Sequence, residues 1–118
     1  MTWWAETQLG VSDFSGYCYA FVFDCWLFGA DYNIGAAPTA LDKWNSLPSS
    51  AKHGGTPPQG AIGFWTSADG DGHAALSAGN GYFVSSWYGS STHTISWVTL
   101  QTISANVGGH YLGWWLPA

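Results

Sequence analysis

The chain has 118 residues, a formal net charge of −5 and only 8% charged residues against 47% hydrophobic ones, where soluble domains carry roughly 25% charge. That length supports a single domain, 1–118, burying roughly two-thirds of the surface its unfolded chain would expose. No apolar run approaches the roughly 18 residues of a membrane span, and Lys43 and Lys52, with no arginine beside them, cannot neutralise a run of phosphates or hold an anionic bilayer. The composition argues for a soluble domain that binds neither nucleic acid nor membrane.

The opening stretch, "MTWWAETQLG", lacks a basic segment followed by an apolar core and a small-residue cleavage site. It is therefore expected to carry no secretory signal. Thr2 to Leu9 is expected to form a short helix closed by Gly10. The run from about Tyr17 to Phe28, apolar on every side, is long enough for a buried helix closed by Gly29. A third short helix is expected after Pro38, where Thr39 and Asp42 stand three apart like a capping box, with Asp in place of the usual Glu. The breaker cluster "GGTPPQG" then ends the helical half of the chain.

Beyond it, "AIGFW" (Ala61 to Trp65), "HAALSA" (His73 to Ala78) and "YFVSSW" (Tyr82 to Trp87) are β-prone, and Gly79-Asn80-Gly81 joins the last two as a tight hairpin. "HTISWVTL" suggests another strand, "LQTISANV" one or two helical turns, and "YLGWW" a final strand before Pro117. The expected fold class is α+β: N-terminal helices, the long one packed on one face of a small antiparallel sheet.

Two cysteines seven residues apart, Cys18 and Cys25, sit in the expected long helix. That spacing separates them by roughly 10 Å along the axis, beyond the ~7 Å Cα limit of a disulfide. A zinc site is not indicated, because the chain has no C-x-x-C or H-E-x-x-H and its four histidines are scattered. "DGDG" (Asp69 to Gly72) begins like a calcium loop, but His73 stands at the third ligand position and Asn80 where the bidentate Glu belongs. No metal and no cofactor are expected.

A thiol nucleophile remains. Cys18 follows Ser12, Ser15 and Gly16, residues that open a helix, and in a first turn the dipole and free N–H groups stabilise thiolate. Cys25 lies deep in the apolar run and is expected to be a small core residue. A thiolate on a helix needs a base from another element. His73 opens a strand after the "SADGDG" loop, so its imidazole is expected at the sheet edge, reaching toward the helix start, and the small Ala74 and Ala75 would let a helix approach. His53, His93 and His110, in polar or glycine-rich surroundings, are expected to be solvated.

"GYCYAFV", "PPQGAIGFW", "GHAALSAGNGYFVSS" and "TLQTISANVGGHYLGW" resemble, in that order, the successive motifs of small papain-like cell-wall hydrolases of the CHAP and NlpC-like kind. The likeness runs from about residue 14 to residue 115 and is nearest to catalytic domains of lysins from phages of Gram-positive, especially actinobacterial, hosts. It implies a nucleophile helix against a small antiparallel sheet, hydrolysis of peptidoglycan amide bonds, Cys18 as nucleophile and His73 as general base. At the NlpC-like third position, twelve residues after His73, stands Ser85, which can accept a hydrogen bond from imidazole but carries no charge to stabilise imidazolium. Tyr17 and the Cys18 backbone N–H, by proximity alone, are the candidate oxyanion donors.

Nine tryptophans stand either for a sugar-stacking surface or for a core with few charges around it. Trp26 and Trp44 are expected in the core, and Trp87, after the strand with the third position, as a groove-lining residue. The pairs Trp3-Trp4 and Trp114-Trp115 are each expected to expose one ring, since neighbours point to different faces. Three classes of function stay open: a cysteine peptidoglycan amidase or endopeptidase, a non-catalytic Trp-rich wall-glycan-binding or phage structural module on the same fold, and an unrelated thiol enzyme such as an acyltransferase. Under the first, the protein is made in the host cytoplasm, acts as a monomer at the bacterial cell wall, and has peptidoglycan as its partner.

Overall fold

The computed structural model describes residues 26, 33–35, 37, 39–68, 70–86 and 95–117. Helix α1 (Ala40–Ser46) starts where the cap residues place it: Thr39 is extended and its Oγ1 accepts from the Asp42 N–H at 3.1 Å. A 3-10 turn (Ser49–Ala51) follows. Five strands come next in the chain: β1 (Ile62–Trp65), β2 (His73–Gly79), β3 (Tyr82–Ser86), β4 (Ile95–Thr99) and β5 (Tyr111–Trp115), with helix α2 (Leu100–Val107) between the last two. They form one antiparallel sheet in the order β4-β3-β2-β1-β5, a meander of β1 to β4 with the fifth strand, β5, returning beside β1.

Alternation along the strands sends side chains to two apolar layers. Ile62, Phe64, Ala74, Leu76 and Val84 pack with Trp26, Ile34, Ala40 and Trp44 on one face. Trp65, Ala75 and Phe83 pack with Ile103 and Val107 of α2 on the other. Trp26, from the run expected to form the long helix, lies in the first layer, and α2 covers the second face as well. The physical reason lies in β1 and β2, whose residues are buried at nearly every position, so neither face can be left to water. Trp26 is helical and buried, and Trp44 is buried with it, as expected of core residues. The rest of the run from Tyr17 to Phe28, and the helix expected at Thr2 to Leu9, lie outside the described residues.

The outer rim of β5 is not left open. His53 pairs with Trp114 through two backbone hydrogen bonds, N–H to O at 3.0 Å and O to N–H at 2.7 Å. The chain presses so closely that a side chain at position 113 would run into the His53 carbonyl and come within 3.0 Å of the Trp44 ring, which is why glycine stands there. This strap corrects the expectation for Trp114-Trp115. Both rings are half-buried, because His53 stacks on Trp114 at 4.5 Å while Lys43 Nζ lies 5.0 Å from the Trp115 ring centroid. Trp3-Trp4 lie outside the described residues.

Candidate active site

His73 is the one expected site residue whose side chain is described, and its position follows from the β1–β2 connection. The two strands are in register with Trp65 opposite His73 as the last pair before the turn. Inside the turn, the Gly72 N–H donates to Ser67 Oγ at 2.9 Å, and the Leu41 N–H at the start of α1 donates to the Asp71 carbonyl at 2.9 Å. Gly72 has φ +79, and a Cβ there would lie 2.8 Å from both Leu41 N and Leu41 Cβ and 3.0 Å from the Trp65 carbonyl. A glycine is therefore required immediately before the histidine, for backbone conformation and for space.

His73 itself is only 1% exposed. It opens the central strand of the sheet and so stands at that strand's end, where the sheet meets the β1–β2 turn. Burial pushes its pKa down to about 4, since desolvation penalises imidazolium. The imidazole is thus neutral near pH 7. The Trp65 ring meets it nearly edge-on, with centroids 5.8 Å apart and planes at 62°. The small residues after His73 work in both directions: Ala74 packs in the layer with Trp26 and Trp44, and Ala75 in the layer with α2.

Ser85 lies on β3, paired with Ser96 of β4 and one residue beyond the Val84–Leu76 pair that joins β3 to β2. Cys18, Tyr17, Trp87, Cys25 and His93 lie outside the described residues. His53 and His110 are exposed, as expected, although His53 is also stacked on Trp114. No group of three or more His, Cys, Asp or Glu side chains that could hold a metal ion occurs among the described residues. Asp69 of the calcium-like stretch is not among them.

Sequence reasoning missed the ring that faces His73 across the hairpin, Trp65. Trp65 closes one strand and His73 opens the next, so the hairpin alone pairs them, and that signal was legible once the turn was placed. Ser104, whose Oγ accepts from the Trp65 Nε1–H at 3.1 Å, had no such signal, because it depends on how α2 docks.

The arrangement of sheet and helices has a counterpart of known structure. The chain superposes on the NlpC/p60 domain of the peptidoglycan hydrolase SagA with a TM-score of 0.61 and 19% sequence identity, over 91% of this chain and 89% of that one. The fold is that of an NlpC/p60 domain, an α+β papain-like fold. The sequence matches no protein-family model, and no curated protein at a significant level. At 19% identity, what the two domains share is the fold.

Proposed function

We propose that this chain is a peptidoglycan hydrolase that cuts an amide bond of the cell wall by a cysteine–histidine mechanism, as an amidase or an endopeptidase. The observation that carries the reading is His73: a buried, neutral imidazole opening the central strand, in a fold that a peptidoglycan hydrolase domain also has. In this reading residues 1–118 form one catalytic domain of a phage lysin, made in the host cytoplasm and acting at the wall as a monomer.

The chemistry needs only side chains. Cys18 gives its Sγ proton to His73, and the thiolate attacks the scissile carbonyl carbon, whose π electrons move to oxygen. The Cys18 N–H and Tyr17 donate to that oxyanion. His73 then passes the proton to the amide nitrogen as the C–N bond breaks, releasing an amine and leaving a thioester on Cys18. A water molecule gives its proton to His73 while its oxygen attacks the thioester; the C–S bond breaks, the Cys18 sulfur leaves and takes that proton back from His73, and a carboxylic acid is released. Ser85 accepts from the other imidazole nitrogen and orients the ring, and Trp87 lines the substrate groove.

The uncharged serine at the third position favours a second reading, a non-catalytic Trp-rich wall-glycan-binding or phage structural module on the same fold. Clearing of purified Gram-positive walls separates the two. The wild type should clear them and Cys18→Ala should not, while His73→Ala should lose roughly 10² to 10⁴ in rate. The double variant should be no slower than the worse single one, because the two residues act as a unit. Clearing by Cys18→Ala at the wild-type rate would sink the mechanism, and wall binding without clearing by the wild type would favour the second reading. Both cuts free an amine, so the carboxylate distinguishes them: a freed lactyl carboxylate in the products marks an amidase, a new peptide carboxyl terminus an endopeptidase.

A further inference from the structure

Trp65 is more than a filler beneath the sheet. Among the described residues its ring contacts three others: the His73 imidazole at 5.8 Å, Phe83 at 5.1 Å and 75°, and Tyr111 at 5.2 Å and 54°. Its indole N–H is held by Ser104 Oγ, and the Ser104 hydroxyl in turn donates to the Leu100 carbonyl at 3.1 Å, one turn earlier in α2. A buried indole N–H ordinarily finds a partner. What is particular here is that the partner sits on a different element, and that the ring it fixes walls the candidate base.

An imidazole turns about a broad, roughly two-fold χ2 torsion. To receive a proton from a thiol, one nitrogen must be aimed within hydrogen-bond reach of the sulfur. Strand pairing fixes the His73 backbone but leaves that torsion to its neighbours. Among the described residues Trp65, directly opposite in the register, is a neighbour whose ring meets the imidazole. We propose that Trp65 is a positioning residue for His73, and that the Ser104 hydroxyl on α2 sets the tilt of the Trp65 ring and through it the aim of the imidazole. The effect on turnover rests on the reading of His73 as the base; the effect on the ring does not.

The test uses Ser104→Ala, which removes the acceptor and little volume, in the full chain with 13C-labelled histidine. The expected result is a shifted His73 Cε1–Hε1 signal with those of His53 and His110 unmoved. In wall hydrolysis, kcat should fall about tenfold with KM unchanged, short of the roughly hundredfold that a 1 Å misplacement can cost. Ser104→Thr, which keeps the hydroxyl, should restore both readouts. Trp65→Phe, which keeps an aromatic edge but has no N–H, should reproduce Ser104→Ala, and it decides the matter if Ser104→Ala does not fold. Unchanged His73 signals and unchanged kcat in a folded Ser104→Ala or Trp65→Phe protein would overturn the proposal. If His73→Ala keeps the wild-type rate, the base reading has failed, and the imidazole signal alone decides the positioning role.

Discussion

Burying a histidine ties the stability of the fold to pH, and the direction is set by which form is buried. His73 titrates near 4 when folded and near 6.5 when unfolded, so between those values the unfolded chain binds the extra proton. Its contribution is present in full above about pH 6.5 and is lost as the pH falls toward 4. The loss from pH 7 to pH 4 should be about 3 kcal/mol, taking 1.36 kcal/mol for each unit. Urea denaturation of the wild type and of His73→Gln at both values checks this, because the carboxylates titrate alike in the two proteins and cancel. Equal losses in both proteins would mean that the ring is not desolvated. The residue before it bears a different constraint: Gly72 is held against Leu41 and the Trp65 carbonyl, so the turn that delivers His73 is locked to the start of α1.

At the scale of elements, α2 has the ends of an independent helix. Thr99 is extended and its side chain accepts from the Thr102 N–H, while Gly108 closes the other end in the left-handed region at φ 68. Between them Ile103 and Val107 are buried on the sheet and Ser104 holds Trp65. Thr99→Ala should therefore destabilise the protein by about 1 kcal/mol, the usual worth of an N-cap hydroxyl. Urea midpoints measure it, and a change within error would show that α2 is held by its packing alone. The beginning and end of this helix could be recognised in the sequence because a threonine ahead of an apolar repeat and a glycine after it are local signals. The partner of Ser104 could not, since 39 residues separate it from Trp65.

At the scale of the molecule, the two apolar layers share one sheet. Phe64 and Ala74 face one layer while their strand neighbours Trp65 and Ala75 face the other, so neither layer can loosen without disturbing the strands that hold both. The chain's two cations are also used on tryptophan rings: Lys43 Nζ donates to the Ile34 carbonyl at 2.7 Å and lies by Trp115, and Lys52 Nζ sits 5.1 Å from the Trp44 centroid. We expect residues 1–118 to unfold as a single cooperative unit, with tryptophan fluorescence and far-UV circular dichroism giving the same midpoint. Separate midpoints would mean that the layers, or the two halves of the chain, are independent.

Much of the architecture could be read from the chain alone. The runs at 61–65, 73–78 and 82–87, the Gly79-Asn80-Gly81 hairpin, the cap at Thr39 and the helical turns at 100–107 rest on alternation, turn chemistry and capping, which act over a few residues. The same local logic put His73 at a strand opening, and closing the hairpin set Trp65 opposite it. Tertiary structure alone decided that β5 returns beside β1, that α2 covers the second face, and that Trp114 and Trp115 are both half-covered. Those outcomes depend on pairings such as Trp65 with Tyr111 and His53 with Trp114, which join residues far apart in the chain. No local pattern encodes them, because what selects them is the burial of both sheet faces at once, a property of the closed fold.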